Sequence, residues 1–158
     1  MSPTVVEQIN ERIDQADELY HRLVLLVGPA DSGKTTALQH VSKEIAVPLI
    51  NVNLSLSRRM LELTERQRIL QMPRLLSEIV GDTERNIALL DNTEILFGVD
   101  LKQDPYRLLQ GISRSRTIVA SWNGRIDGNY VIYAEPNHPE YRRCRTDEVF
   151  VVNSEAVA

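Results

Sequence analysis

The residues with the clearest chemical signature form a glycine-bounded loop that ends in lysine and threonine. Residues 28–35 read GPADSGKT, which fits the pattern G-x-x-x-x-G-K-[ST]. In that pattern backbone N–H groups of the loop and of the next helix surround phosphates, the lysine reaches the outer phosphates, and the last hydroxyl ligates Mg²⁺. The sequence therefore predicts a site for ATP and Mg²⁺. The predicted nucleotide-binding residues are Gly28, Pro29, Ala30, Asp31, Ser32, Gly33, Lys34, Thr35 and Thr36, with Thr35 also on the metal.

A second group of candidates follows a short apolar run, IALL, which ends at Asp91. A carboxylate at the end of a buried strand can orient the Mg²⁺ shell beside a phosphate-binding loop, so Asp91 is the second predicted metal ligand. The next residue is Asn92, and an amide can orient water but cannot remove its proton. Glu94 is then the nearest acid, and the predicted catalytic residues are Asp91, Asn92 and Glu94. The alternative role for Asp91 or Asn92 is to cap the next helix.

Alternating segments of strand and helix character must position these side chains. Apolar residues at helical spacing predict a leading helix, with Ser2 as its cap and Pro3 in its first turn. The predicted strands are residues 23–27, 49–54, 87–90 and 117–121, followed by two short ones at 130–134 and 149–152. The predicted helices include residues 35–45, a helical region over 57–80 broken near Met72–Pro73, and a helix with Asp104 as cap and Pro105 at its first position.

This alternation predicts a three-layer α/β/α fold around a mainly parallel sheet. A length of 158 residues and a hydrophobic content of 42% suit one domain with a sizeable core. We expect residues 1–21 to form the leading helix, 22–153 the nucleotide-binding core and 154–158 a tail.

Composition limits the range of partners. The net charge of −4 gives no general attraction to DNA or anionic lipid, so any DNA contact needs a local patch. The candidates for such a patch are Arg114, Arg116, Arg125, Arg142, Arg143 and Arg145. A single cysteine excludes an internal disulfide, and the N-terminus has no apolar segment typical of a secretory signal. We therefore expect a cytoplasmic protein without a membrane span.

Taken together, LLVGPADSGKT, IALLDN and TIVASWNG resemble, in order and spacing, the additional-strand P-loop ATPases that include the AAA+ class. The resemblance implies a polar sensor of the γ-phosphate at the end of the fourth strand, which is Asn123 or, as second choice, Ser121. It also implies an arginine near the end of the next helix that reaches a neighbouring subunit's nucleotide. Arg142, Arg143 and Arg145 lie in that interval, where the alternative is a solvated charged turn. Since the sequence ends at Ala158, soon after the last predicted strand, we do not expect the helical lid domain of the class.

More narrowly, the loop GPADSGKTTAL and the segment SWNGRIDGNYVIYAEPNHPEYRRC are similar to the BrxF family, the small P-loop proteins of type III bacteriophage-exclusion (BREX) systems. That resemblance implies a role in bacterial anti-phage defence. The implied partners are a larger ATPase, a DNA methyltransferase, a helicase and a phosphatase-like protein.

Two classes of function remain open at this point. In the first, the chain is an ATPase with slow or partner-activated turnover, in which Glu94 or an arginine supplied in trans compensates for Asn92. The arginine would require a nucleotide-dependent homo-oligomer or another partner. In the second, the chain is a nucleotide-dependent binding module that docks to partners without fast hydrolysis. A small-molecule kinase is a third alternative, with SRRMLELTERQR as the candidate lid.

Overall fold

A seven-stranded sheet forms the middle layer of the computed structural model, which describes residues 4–81 and 86–155. The strands are β1 (Leu23–Gly28), β2 (Leu49–Asn51), β3 (Ile87–Asp91), β4 (Thr117–Asp127), β5 (Tyr130–Tyr133), β6 (Arg142–Arg145) and β7 (Phe150–Asn153). The α-helices of the described residues are α1 (Val5–Gln15), α2 (Lys34–Ile45), α3 (Val52–Met60), α4 (Glu65–Gly81) and α5 (Pro105–Ile112). Short 3-10 helices span Ala16–Glu18, Thr93–Phe97 and Val99–Leu101.

Parallel pairing joins five of these strands in the order β2, β3, β4, β1, β7. β1 lies between β4 and β7, and all of its residues are buried, as expected for the unbroken apolar run LVLLV. The loop after β1 therefore leaves the sheet at its carboxyl edge, between two neighbouring strands. The predicted α/β fold with a mainly parallel sheet is confirmed.

Side chains that alternate along the strands divide the core into two layers. One layer lies against α1 and α2, and the other lies against α3, α4 and α5. Leu89 and Val119 belong to the α2 layer. Asp91 is two residues after Leu89, and Asn123 is four residues after Val119, so both polar side chains lie on the α2 face. This alternation places them on the same side of the sheet as the helix that begins at Lys34.

At the N-terminal end of the described chain, Thr4 caps α1, and its side chain accepts a hydrogen bond from the Glu7 backbone N–H at 3.1 Å. The expected leading helix over residues 1–21 is shorter in the structure, because α1 ends at Gln15 and a 3-10 turn follows. Ser2 and Pro3, as well as residues 156–158 of the predicted tail, lie outside the described residues.

No helix in the described part of the chain is long and apolar enough to cross a membrane.

The segment after β2 corrects two predictions. β2 ends at Asn51 instead of continuing to residue 54, because the Asn51 side chain accepts a hydrogen bond from the Leu54 N–H at 3.0 Å and caps α3. The break in the helical region lies at residues 61–64, not near Met72–Pro73. Thr64 and Gln67 form a capping box there, with Gln67 N to Thr64 Oγ1 at 3.2 Å and Thr64 N to Gln67 Oε1 at 2.9 Å.

α4 continues through Pro73 because a distant side chain replaces the missing helical hydrogen bond. Proline has no N–H to offer to the carbonyl of Ile69, four residues earlier. Gln103 Nε2 donates to that carbonyl at 2.8 Å. The freed backbone group is therefore satisfied, and the helix does not break.

β4 corrects a third prediction. It runs past the expected end at residue 121 to Asp127 and then pairs antiparallel with β5, which pairs with β6. Gly124 permits the close approach, since a Cβ at that position would lie 1.8 Å from the Ile132 carbonyl oxygen. The helix that the resemblance implied before the last core strand is absent from this described stretch. The arginines predicted near its end lie in or at the end of β6.

Candidate functional site

The loop over residues 28–33 joins β1 to α2 and presents the start of that helix to the solvent. Gly33, immediately before α2, has φ of 87°, a left-handed conformation that glycine adopts without strain. No side chain caps the first turn of α2. Its free backbone N–H groups and its positive dipole end are the features that bind phosphate at a helix N-terminus.

Close packing against Ser154 explains why the loop begins with glycine. A Cβ on Gly28 would lie 1.8 Å from Ser154 Oγ and 2.5 Å from Ser32 Oγ. The two serine hydroxyls are hydrogen-bonded at 2.7 Å, and Ser154 N donates to the Val27 carbonyl at 2.8 Å. Ser154, just after β7, thus holds the base of the loop. Sequence reasoning missed Ser154, because nothing local to it signals contact with a loop 122 residues away.

Lys34 is folded against its own loop and is 6% exposed. Its Nζ donates to the Gly28 carbonyl at 2.8 Å, the Pro29 carbonyl at 2.5 Å and Ser32 Oγ at 3.3 Å. Burial lowers the pKa of the Lys34 amine from its ordinary value, and nearby carboxylates, Glu94 first, oppose that shift. An incoming phosphate would add negative charge beside this amine, which favours its protonated form.

Thr35 and Asp91 meet across the sheet edge. The Thr35 hydroxyl donates to Asp91 Oδ2 at 2.6 Å, and Asp91 is 6% exposed. A hydroxyl and a carboxylate are hard oxygen donors of the kind that Mg²⁺ prefers, so the pair fits this metal. The described residues contain no group of three His, Cys, Asp or Glu side chains that could hold a metal. Phosphate and water oxygens would therefore have to complete the Mg²⁺ shell.

Glu94 enters the site through a turn that begins at Asn92. Asn92 has φ of 55° and ψ of 50°, a left-handed conformation that asparagine tolerates better than most residues. It occupies the N-cap position of the 3-10 helix Thr93–Phe97, as the capping alternative expected, but its side chain makes no capping hydrogen bond. Thr93 Oγ1 donates to the Ser121 carbonyl at 2.6 Å and anchors the turn to β4. Glu94 Oε1 then accepts a hydrogen bond from Asn123 Nδ2 at 2.5 Å.

The two sensor candidates occupy different environments. Asn123 is half-buried, pairs in register with Gly28 and bonds Glu94. Ser121 is 1% exposed, and its hydroxyl has no hydrogen-bond partner among the described atoms. Asn123 lines the cavity beside the loop, whereas Ser121 does not.

That cavity has a volume of about 430 Å³, within the range of small-molecule sites. It brings together both halves of the predicted site. Its lining residues are Ala30, Asp31, Gly33, Lys34, Thr35, Thr36, Asp91, Asn92, Glu94 and Asn123. Gly28, Pro29 and Ser32 shape the loop from behind, through their contacts with Lys34 and Ser154.

The structure does not bring the three predicted arginines to this cavity within one chain. Arg142 Nη2 donates to the Gln103 carbonyl at 2.7 Å, and the Arg143 guanidinium lies 3.6 Å from the centre of the Tyr130 ring. Arg145 pairs with Asp147 at 3.0 Å. Arg143 and Arg145 are exposed, so any contact with a nucleotide would be with one bound to another chain.

The arginines proposed as one DNA patch are also divided. Arg114 and Arg116 precede β4, whereas Arg125 lies near its far end. At about 3.3 Å per strand residue, Arg116 and Arg125 are separated by roughly 30 Å. They do not form one continuous patch.

Comparison with known proteins agrees with this geometry. Residues 24–100, just under half of the chain, match the family described as ATPase family associated with various cellular activities (AAA). No curated protein matches the chain. The matched region contains the loop over residues 28–33, Lys34, Thr35 and Asp91, so it spans both halves of the candidate site.

One solved structure extends the likeness of fold to most of the chain. A DNA replication initiation factor matches with a TM-score of 0.51 and 16% identity over 93% of this chain. C. elegans PCH-2 matches with a TM-score of 0.46 and 16% identity over 94% of this chain and 41% of its own. AMPPCP-bound DnaA from Aquifex aeolicus matches with a TM-score of 0.49 and 15% identity over 94% and 44%. The chain spans 44% of the replication initiation factor, and at this identity the likeness shows the fold.

Proposed function

We propose that this chain binds ATP together with Mg²⁺ and hydrolyses it slowly or on activation by a partner. The hydrogen bond of 2.6 Å between the Thr35 hydroxyl and the Asp91 carboxylate carries the proposal. It joins the end of the phosphate-binding loop to the end of β3, so two hard oxygen donors lie beside the exposed start of α2. That arrangement suits a metal-bound polyphosphate.

The polar groups at the centre of the cavity then have separate roles. The N–H groups at the start of α2 bind phosphate oxygens, and Lys34 exchanges its bonds to the loop carbonyls for the outer phosphates. Thr35 and Asp91 would hold Mg²⁺, and the metal would neutralise charge on the phosphate oxygens. Glu94 would accept the proton of the attacking water once its bond to Asn123 is released, and Asn123 would then contact the terminal phosphate.

Slow turnover follows from the way Glu94 is held. The residue directly after Asp91 is Asn92, which cannot act as a base. The carboxylate that serves as the base must therefore come from the next turn. Glu94 already accepts a hydrogen bond from Asn123 at 2.5 Å, and this bond competes with a bond to water. A partner or a bound nucleotide that moves Asn123 would free the carboxylate.

The test of nucleotide binding compares Lys34→Ala with Lys43→Ala. Both changes remove one lysine of α2, but Lys43 is exposed in the last turn, far from the loop. Lys34→Ala should reduce the affinity for a fluorescent ATP analogue severely, while Lys43→Ala should match the wild type. Equal affinity of Lys34→Ala and wild type would remove the loop from the proposal.

The alternative function is a nucleotide-dependent binding module. The Asn123–Glu94 bond favours it, because a carboxylate held by an amide is not free to activate water. A module of this kind would bind the ATP analogue with full affinity but release no phosphate, alone or with its partners. Phosphate release measured in both conditions therefore separates the two functions.

Trans activation and a defence role are further parts of the proposal. Arg143 and Arg145 are exposed on the β5–β6 hairpin, where they could reach a nucleotide bound to another chain. In that case specific activity rises with protein concentration. The resemblance to the BrxF family supports action beside the larger ATPase, methyltransferase, helicase and phosphatase-like protein of a type III BREX system. Co-purification of the chain with each of these proteins, with and without ATP, tests that assignment.

A further inference from the structure

A second cavity, of about 910 Å³, shares Glu94 with the nucleotide cavity. We call it the α3 groove. Its floor is apolar and includes Met60, Leu63 and Ile95, and α3, α4 and residues 94–101 form its walls. Nothing in the mechanism proposed above uses this groove apart from Glu94.

Exposed apolar side chains are concentrated around the α3 groove. The described residues include six large apolar side chains that are clearly exposed, and three of these are Leu54 at 46%, Leu61 at 74% and Val99 at 53%. Leu54 and Leu61 lie on or just after α3, and Val99 adjoins Asp100 in the groove wall. Apolar exposure collected in one place is typical of an interface.

Charged side chains of both signs surround the α3 groove, and its lining is mostly acidic, with Glu65, Glu94, Asp100 and Glu140 against the single base Arg68. Arg58 is exposed on α3, four residues after Leu54 and three before Leu61, so the three side chains form one stripe. Glu65 and Asp100 are exposed in the groove wall. Within residues 4–81 and 86–155, no ion pair involves Arg58, Glu65 or Asp100.

We propose that the α3 groove is the interface of a two-fold symmetric dimer, in which the Leu54–Arg58–Leu61 stripe of each copy enters the groove of the other. A two-fold interface requires one patch that is complementary to itself. This patch meets that requirement because it holds an apolar and basic stripe next to an apolar and acidic groove. In the dimer, Arg58 of each copy lies against the acidic side chains of the other, Asp100 above all.

The dimer also bears on the nucleotide site through Glu94, which lines both cavities. A stripe that fills the groove changes the surroundings of the Glu94 carboxylate and its bond to Asn123. This consequence rests on the proposed ATPase function, whereas the dimer itself does not. Sedimentation without nucleotide therefore tests the dimer independently of activity.

The symmetry allows a charge-exchange experiment. In Arg58→Glu homodimers both charge contacts become repulsive, and the same holds for Asp100→Arg homodimers. In a mixture of the two variants, each contact again joins opposite charges, so a heterodimer forms. Because each substitution alters two contacts, we expect either variant alone to associate at least about tenfold more weakly than the wild type.

The measurement is analytical ultracentrifugation of the wild type, each variant and the equimolar mixture over a wide concentration range. The matched controls are Asp14→Arg and Lys43→Glu, which reverse exposed charges on the α1–α2 side of the sheet. Near-UV circular dichroism verifies that each variant is folded. The proposal predicts a wild-type dimer, weak association of the single variants, and restored dimer in the mixture, with the controls unchanged.

Three results would overturn the proposal. The first is a wild type that stays monomeric at every concentration, in which case a different protein would be the occupant of the groove. The second is a dimer that survives both Arg58→Glu and Asp100→Arg. The third is a mixture that associates no better than its components.

Discussion

The packing of Gly28 against Ser154 gives a prediction that follows directly from the structure. Gly28→Ala places a methyl group where Ser154 Oγ lies 1.8 Å away and Ser154 Cβ lies 3.1 Å away. Gly28 does not have a positive φ, so the backbone itself accepts alanine. The whole effect should therefore come from the clash with Ser154 and, secondarily, with Ser32.

Overpacking a close contact of this kind destabilises a protein by about 1–3 kcal/mol. Ser154→Gly removes the two Ser154 atoms that clash, Oγ and Cβ. It also loses the hydrogen bond between the hydroxyls of Ser154 and Ser32, at a cost of about 0.5–1.5 kcal/mol. The double variant should be less destabilised than the sum of the two single variants by about 1 kcal/mol or more, since the residues are in contact. Gly28→Ala should also weaken ATP-analogue binding, because the loop must shift to make room.

Urea unfolding of the four proteins measures this coupling, and Gly111→Ala is the matched control. Gly111 lies within α5 with open space around its Cβ position, so alanine there should be neutral or stabilise by up to about 1 kcal/mol. Full additivity of Gly28→Ala and Ser154→Gly would refute the contact. A Gly28→Ala variant as stable as the wild type would refute it as well.

The remaining predictions concern Asp91, Asn123 and Cys144. Asp91→Asn removes the charge beside Thr35 and should therefore weaken the Mg²⁺ dependence of ATP-analogue binding. The measurement is the ratio of the affinity with Mg²⁺ to the affinity with EDTA. A ratio equal to that of the wild type would exclude Asp91 from the metal site. In a double-mutant cycle of Asn123→Ala and Glu94→Gln, the effects on phosphate release should be non-additive, because the two side chains are hydrogen-bonded to each other. Independent, multiplicative effects would contradict that coupling. Burial raises the pKa of the Cys144 thiol to about 11 from 9.0. Near pH 8, the fraction of Cys144 present as thiolate is then about 100-fold lower in the folded protein than in the urea-unfolded chain. Iodoacetamide should alkylate the folded protein correspondingly more slowly. Equal alkylation rates in the folded and unfolded states would show that Cys144 is not shielded.

The parts of the site that the sequence predicted are those governed by local rules. The loop over residues 28–35 has a diagnostic pattern, and buried strands identify where Asp91 and Asn123 must emerge. Because parallel strands end at one edge of the sheet, side chains from β3 and β4 could be expected beside the loop. The structure brings Lys34, Asp91 and Asn123 to one cavity.

The wrong predictions of helix and strand bounds have two kinds of cause, which are long-range contacts and an overlooked local signal. Pro73 stays helical because Gln103, 34 residues from Ile69, satisfies the freed carbonyl. β4 extends because it pairs with β5, and such pairing depends on Gly124 tolerating a close approach. The helix start at Thr64 was different, since the sequence TERQ contains the capping box and could have been recognised.

Asn92 illustrates how sequence and structure complement each other. The sequence showed that an amide follows Asp91 and that Glu94 is the nearest acid. The structure adds that Asn92 takes a left-handed conformation and that the following turn carries Glu94 to Asn123 in the cavity. A local pattern could not give the direction of this turn, because it depends on the bond between Thr93 and β4.

The central claim is that Glu94 activates water in a genuine, though slow, ATPase. Single-turnover hydrolysis with the protein in excess over labelled ATP tests it most directly, in the wild type, Glu94→Gln and the surface control Glu18→Gln. Loss of a general base should lower the rate by about 100-fold or more, while the affinity for the ATP analogue stays within about threefold. Glu18→Gln should hydrolyse ATP like the wild type, whereas Glu94→Gln should bind ATP without hydrolysing it. Equal hydrolysis rates for Glu94→Gln and the wild type would contradict the role of Glu94 as the base.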